Sequence, residues 1–82
     1  MTRRRLASSQ LYALLDREFR ARRPPACKTC RTPLPFWKRP PDAVSANWGI
    51  GTMAGCPHEC RRLMAEIVAE LWPQYELQEP ED

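Results

Sequence analysis

Four cysteines in two short clusters constrain the fold of this chain more than any other feature. The first cluster is CKTC at Cys27–Cys30, and the second is CPHEC at Cys56–Cys60. A chain of 82 residues forms one domain at most. The apolar core of so small a domain rarely supplies more than about 3–5 kcal/mol, so a disulfide or a metal ion is usually needed as well. The two clusters provide side chains for either.

The spacing of the cysteines favours a metal ion. A Cys-x-x-Cys turn directs two sulfurs at one ion, and two cysteines four residues apart at the start of a helix point to the same side. Zinc prefers tetrahedral coordination by thiolates and imidazoles. We therefore predict one structural zinc ion held by Cys27, Cys30, Cys56 and Cys60. Two disulfides and free thiols are the alternatives.

His58 lies inside the second cluster and is an alternative ligand in place of Cys56 or Cys60. Successive residues of a helix are rotated by about 100°, which turns His58 away from Cys56, so four thiolates are the simpler set. A site of four thiolates has no open coordination position. The chain also has no glycine-rich phosphate loop and no Ser-His-Asp set, so the sequence predicts no enzyme activity.

Two helices are predicted from the apolar periodicity. The first covers residues 8–22, with Ser8 or Ser9 as its N-cap and two prolines following its end. The second begins with Cys56 as its N-cap and Pro57 as its first helical residue, and its apolar stripe extends over residues 60–72.

Prolines interrupt every regular pattern between the helices, so only short strands fit there. We predict strands around Leu34–Lys38 and Ala46–Ile50, joined by a proline-rich turn into a hairpin. The expected architecture is a small α+β zinc-stabilised domain over residues 8–77, with a flexible basic arm over residues 1–7 and an acidic tail over residues 78–82.

The order of a Cys-x-x-Cys turn, a hairpin and a helix with two ligands in its first turn resembles the treble-clef class of structural zinc fingers. The resemblance covers roughly residues 26–72 and concerns ligand placement. It implies that Cys27 and Cys30 form the zinc knuckle and that Cys56 and Cys60 are the helix ligands. The Cys-x3-Cys spacing and the preceding helix depart from the minimal module, and a zinc ribbon is the alternative.

Charge is distributed unevenly along the chain. Residues 1–39 carry eleven lysines and arginines against two acidic residues, a net charge of +9. Residues 40–82 carry two arginines against eight acidic residues, a net charge of −6. Such asymmetry indicates either an anionic partner or packing of the two halves against each other.

The basic half combines cations with aromatic rings. Cations pair with phosphates, and aromatic rings stack on unpaired bases. We predict that nucleic acid, or a ribonucleoprotein complex, binds at Arg3, Arg4, Arg5, Trp37, Lys38 and Arg39. In one alternative interpretation Trp37 and Trp48 pack over the zinc site. In others the protein is a protein–protein adaptor or a redox-sensitive zinc protein.

The sequence contains no apolar segment of the about 20 residues needed to cross a bilayer. The arginines near the start are not followed by the apolar region of a signal peptide. We expect a cytoplasmic protein with no membrane partner and no small-molecule substrate. A reducing compartment favours metal ligation over disulfides.

Overall fold

The computed structural model describes residues 3–42 and 44–78. It combines two helices with two small sheets, which confirms the predicted α+β class, whereas zinc stabilisation stays a prediction. The elements in chain order are β1 (Arg4–Leu6), α1 (Ser8–Arg22), β2 (Pro35–Trp37), β3 (Trp48–Ile50), α2 (His58–Leu71) and β4 (Tyr75–Leu77). A single 3-10 turn at Pro25–Cys27 follows α1.

Helix α1 has the predicted bounds but a different N-terminal cap. Its buried face consists of Leu11, Leu15 and Phe19, all fully inaccessible to solvent. The N-cap is Ala7, whose backbone N–H donates to Oε1 of Gln10 at 2.9 Å. The predicted serine cap is therefore wrong. The side chain of Gln10, three residues after the cap, instead accepts the hydrogen bond from the backbone N–H of the N-cap residue. The helix ends where Arg23, which precedes a proline, adopts extended backbone.

Helix α2 begins one residue later than expected. Pro57 is its N-cap, with extended backbone at φ −57° and ψ 153°, and Cys56 precedes the cap instead of forming it. Cys56 is itself followed by proline, which disfavours helical backbone at that position. The buried face of the helix is Cys60, Met64, Ile67 and Leu71. This face and that of α1 form the core together with the fully buried Trp48.

Strands β2 and β3 form the predicted antiparallel hairpin, with Phe36 opposite Gly49 and Trp37 opposite Trp48. The Nε1 of Trp48 donates to the Tyr75 carbonyl at 3.0 Å, and the Nε1 of Trp72 donates to the Trp48 carbonyl at 3.1 Å. These two indole hydrogen bonds connect the hairpin to β4 and to the end of α2.

Strand β1 lies within the segment that the sequence analysis treats as a flexible arm. It pairs in parallel with β4, and the buried side chains of Leu6 and Leu77 occupy partnered positions. The Arg4 N–H donates to the Gln74 carbonyl, and the Gln78 N–H donates to the Leu6 carbonyl, both at 2.9 Å. Burial of one leucine and these backbone bonds order the segment. The expected acidic tail lies outside the described residues from position 79 onward.

The basic and acidic halves of the chain are packed against each other at two ion pairs. Arg5 lies 3.3 Å from Glu76, and Arg22 contacts Glu70 on the neighbouring helix, with one N–O distance of 3.1 Å. Some of the opposite charges of the two halves therefore pair with each other within the fold. None of the helices in the described ranges is long and apolar enough to span a membrane.

Candidate functional site

The fold brings the two cysteine clusters together. The 3-10 turn after α1 positions the first cluster, where the Cys30 N–H donates to the Cys27 carbonyl at 3.0 Å. A second turn precedes α2, in which the Cys56 N–H donates to the Met53 carbonyl at 3.2 Å and Gly55 has φ +84°. Cys60 lies in the first turn of α2. Both clusters are therefore held by local backbone geometry.

The cysteines are paired across the clusters as disulfides. Cys27 pairs with Cys60 at a Cα–Cα distance of 5.7 Å, and Cys30 pairs with Cys56 at 6.1 Å. Within residues 3–42 and 44–78, no group of three or more histidine, cysteine or acidic side chains is arranged to hold a metal ion. The structure thus shows two disulfides, which were the alternative to zinc in the sequence analysis. Zinc ligation stays a prediction.

The donor set nevertheless suits zinc once the cysteines are reduced. Each cysteine of the first cluster lies within disulfide distance of one cysteine of the second, so the two clusters together offer four sulfur donors. Cys27 and Cys60 are fully buried and Cys30 is nearly so, while His58 is exposed. An enclosed set of four thiolates is typical of a structural zinc site. A disulfide sulfur carries no thiolate, so metal binding and these disulfides exclude each other.

Two of the three arginines in the predicted basic arm bind other residues of the fold. Nε of Arg3 donates to the Trp72 carbonyl at 2.9 Å, and its Nη2 donates to the Val44 carbonyl. Arg5 pairs with Glu76, whereas the exposed Arg4 has no ion pair with a described residue. Of the three arginines, Arg4 is thus the most available to an anionic partner.

The hairpin presents a different aromatic ring from the predicted one. Trp37 is half-buried, and its buried Nε1 has no hydrogen-bond partner among the described residues. Phe36 is 50% exposed on the opposite face. The alternation of side chains along a strand explains the difference, because adjacent residues point to opposite faces. Applied to the sequence, that alternation places Phe36 and Trp37 on opposite faces of the strand, but it does not indicate which ring faces outward.

Gly49 allows Phe36 and Lys38 to lie close to the hairpin backbone. A Cβ atom at Gly49 would lie 3.3 Å from Cζ of Phe36 and 3.6 Å from Cε of Lys38. The ammonium group of Lys38 lies 5.9 Å from the ring centre of Trp72, and Arg39 is exposed. We call Phe36, Lys38 and Gly49 the hairpin face. It presents an exposed ring beside a cation, and the exposed Arg39 follows Lys38 in the chain.

A second basic surface lies between the end of α1 and the first cysteine cluster. This basic cleft has a volume of about 500 Å³ and is lined by Tyr12, Asp16, Arg20, Arg23 and residues 28–32. Most of these residues were not singled out by the sequence analysis, because the helix and the turn meet only in the folded chain.

Asp16 is the acidic side chain of the basic cleft, and its charge is locally compensated. The hydroxyl of the buried Thr32 donates to Oδ1 of Asp16 at 2.8 Å, and Nε of Arg20 lies 2.9 Å from Oδ2. The Thr32 hydrogen bond is the main cause that lowers the pKa of Asp16, followed by the hydrogen bond and charge of Arg20, while desolvation acts in the opposite direction. The carboxylate is therefore ionised and already bound on both oxygens.

An apolar groove of about 470 Å³ lies between the residues after β3 and α2. It is lined by residues 50–54, Arg61, Met64 and Ala65. This groove is the surface that best fits the alternative of a protein-binding adaptor.

Comparison of this chain with protein-family models, with curated proteins and with solved structures finds no significant match.

Proposed function

We propose that this protein is a small nucleic-acid-binding module built around one structural zinc ion. The observation that carries the proposal is the hairpin face, where the half-exposed ring of Phe36 lies over Gly49 beside Lys38. An exposed ring next to cations, in the half of the chain with net charge +9, suits a single-stranded nucleic acid. The ring stacks on an unpaired base while the cations contact the flanking phosphates.

The cysteine centre has a structural role in this proposal. In the reduced protein, Cys27, Cys30, Cys56 and Cys60 would hold the ion as four thiolates. Zinc supplies a tetrahedral crosslink between the turn and the helix and stabilises the fold. The resemblance to treble-clef zinc fingers is part of this proposal and concerns the order of turn, hairpin and helix. The near-complete burial of three of the four cysteines supports a closed, non-catalytic site.

The experiment is a fluorescence-anisotropy titration of a single-stranded oligonucleotide at several salt concentrations. Base–aromatic stacking contributes about 1–3 kcal/mol per base, so Phe36→Ala is expected to weaken binding by roughly tenfold. Phe36→Tyr keeps the ring and is expected to bind like the natural protein. Leu34→Ala is the matched control, because Leu34 is also exposed and apolar, at 70%, but offers no ring.

Two results would count against the proposal in different ways. Absence of binding at low salt would overturn nucleic-acid recognition altogether, since the electrostatic contribution is greatest there. Equal loss of binding in Phe36→Ala and Leu34→Ala would indicate that general apolar contact, and not stacking, is responsible. Circular dichroism of each variant checks that the fold is retained.

The disulfide pairing specifically favours a second function, that of a redox-sensitive zinc protein. Oxidation of the four thiolates would form two S–S bonds, release Zn²⁺ and give up four electrons. Two molecules of hydrogen peroxide would accept these electrons, and each would take up two protons and leave as two waters. Peptide mapping after peroxide treatment is expected to yield the pairs Cys27–Cys60 and Cys30–Cys56, with zinc released in parallel. Random pairing would argue against a defined switch.

A further inference from the structure

We propose that the basic cleft is a phosphate-binding site. The cleft is lined by four cationic side chains, Arg20, Arg23, Lys28 and Arg31, and by the single carboxylate of Asp16. Converging cations with so little opposing charge create a positive potential that attracts an anion. The cleft lies outside the residues that the nucleic-acid proposal uses.

Three of the four cations are available to a ligand. Arg20 is occupied by Asp16, whereas Arg23, Lys28 and Arg31 form no ion pair with any residue in the described part of the chain. The guanidinium of Arg23 lies 5.9 Å from the ring centre of Phe19, which positions it at the helix end. Because Arg20 offsets the charge of Asp16, and Thr32 donates a further hydrogen bond to its carboxylate, these three cations determine the charge that a ligand encounters.

The remaining lining selects a phosphate over an apolar ligand. Besides the cations, the cleft presents the hydroxyl groups of Tyr12 and Thr29 and few apolar groups. Guanidinium and ammonium groups form short, charge-assisted hydrogen bonds with phosphate oxygens, and hydroxyls add neutral donors. A nucleobase would find little apolar surface to cover it. The volume of about 500 Å³ lies within the range of small-ligand sites and accommodates one or two phosphate groups.

Helix α1 connects this cleft with the hairpin face. Ser8, at the start of the helix, lines a hollow together with Phe36 and Trp37, while Arg20 and Arg23 line the cleft at the other end. The helix has 15 residues, which corresponds to a length of about 22 Å. If the proposed function holds, on which this step rests, a single strand stacked on Phe36 would extend along α1 and place a backbone phosphate in the cleft.

The test uses the full chain with two probes, inorganic pyrophosphate and a single-stranded oligonucleotide. Pyrophosphate is titrated while the backbone amide signals of residues 28–32 are followed by NMR, and the oligonucleotide is titrated by anisotropy. The cleft variant is the triple substitution Arg23→Gln, Lys28→Gln and Arg31→Gln. The matched control removes three charges elsewhere, by Arg17→Gln, Arg61→Gln and Arg62→Gln, all on exposed helix positions. Metal and disulfide content are compared in both variants.

The cleft variant is expected to lose pyrophosphate affinity by at least about tenfold, because it removes charge-assisted hydrogen bonds, while the control changes little. For the oligonucleotide, the slope of log K against log salt should become shallower by about 0.7 for each phosphate that the cleft neutralises. Asp16→Asn provides an independent variant. It removes the negative charge and frees Arg20, so pyrophosphate should bind more tightly.

Each outcome separates the cleft from the nucleic-acid proposal. Loss of both probes in the cleft variant supports a backbone phosphate as the ligand. Binding of pyrophosphate alone supports the cleft as a site for a small phosphate compound and overturns nucleic-acid binding. Oligonucleotide binding that is equal in the natural protein and the cleft variant, with unmoved signals at residues 28–32, overturns the cleft and leaves the proposed function standing. Binding of neither probe overturns both.

Discussion

Gly55 has a backbone conformation that other residues rarely adopt. Its φ of +84° lies in the left-handed region, and it immediately precedes Cys56, so it sets the direction in which the second cluster approaches the first. A Cβ atom at this position would meet nothing within 4 Å, so the requirement for glycine is conformational and not steric.

We expect Gly55→Ala to destabilise the protein by about 1 kcal/mol, because an L-residue is strained at this φ. For a domain of this size such a loss lowers the melting temperature by roughly 4–8 °C. Gly51→Ala is the matched control, since its Cβ would lie 4.0 Å from Cβ of Pro33, an ordinary contact. Equal melting temperatures for Gly55→Ala and the natural protein would contradict the conformational argument.

Asp16 makes stability depend on pH in a defined direction. The Thr32 hydroxyl and then Arg20 lower the pKa of Asp16 in the folded state from its ordinary value of 3.8. The ionised carboxylate therefore contributes stability above that value, and the contribution is lost as the pH falls through the lower folded pKa. The stability difference between the natural protein and Asp16→Asn should be constant near neutral pH and shrink below about pH 4.

The measurement is denaturant unfolding of both proteins across this pH range. The cysteine centre makes both proteins sensitive to acid, and subtracting one free energy of unfolding from the other removes this shared contribution. Thr32→Val deletes the hydroxyl that binds Asp16, so it should reproduce part of the pH-dependent loss of stability. A stability difference between variant and natural protein that grows on acidification would contradict the assigned pKa direction.

At the scale of elements, Asn47 joins the hairpin to the sheet of β1 and β4. Its Nδ2 donates to the Leu77 carbonyl at 2.8 Å, and its Oδ1 accepts from the Leu77 N–H at 2.7 Å. One side chain thus satisfies both backbone groups of a residue in β4, as a neighbouring strand would. Leu77 is buried, so loss of these bonds would leave its backbone groups with poor access to water.

We expect Asn47→Ala to cost about 2 kcal/mol, because two backbone groups beside the core lose their partners. Asn47→Asp keeps an acceptor for the Leu77 N–H but removes the donor to its carbonyl, so its cost should be at least as large. Thermal unfolding gives the size of the effect, and hydrogen exchange at the Leu77 amide shows whether β4 has detached. A slow-exchanging Leu77 amide in Asn47→Ala would contradict this role of the side chain.

The sequence predicts the regular elements better than their contacts. The bounds of α1 follow from apolar spacing and from the prolines behind it, and both hairpin strands lie inside the predicted segments. Strand β1 is missed because three residues, two of them charged, carry no periodic signal. Its order depends on β4, about 70 positions further on, and on Asn47, whose side-chain contacts no local pattern indicates.

At the scale of the whole molecule, we expect the crosslinks between the two cysteine clusters to contribute strongly to stability. A disulfide contributes about 2–4 kcal/mol, whereas a structural zinc site contributes roughly 10–16 kcal/mol of apparent binding free energy. The reduced protein without metal has neither crosslink, and its small core must then stabilise the fold alone.

We expect the reduced protein to bind one zinc ion per chain and to unfold when a strong chelator removes it. The disulfide form should be indifferent to the chelator and should lose its stability on reduction. Circular dichroism and native mass spectrometry on the two forms measure these responses. A reduced, metal-free protein with unchanged spectrum and melting temperature would overturn the structural-zinc proposal.

The sequence by itself determined the α+β class, the two helices and the hairpin, because each depends on local spacing and turn chemistry. The tertiary structure decided which cysteines are neighbours, that Phe36 and not Trp37 faces outward, and that Arg3 and Arg5 are held within the fold. It also formed the basic cleft from a helix and a turn. These features depend on contacts between residues distant in sequence, whose energies exist only once the chain is folded.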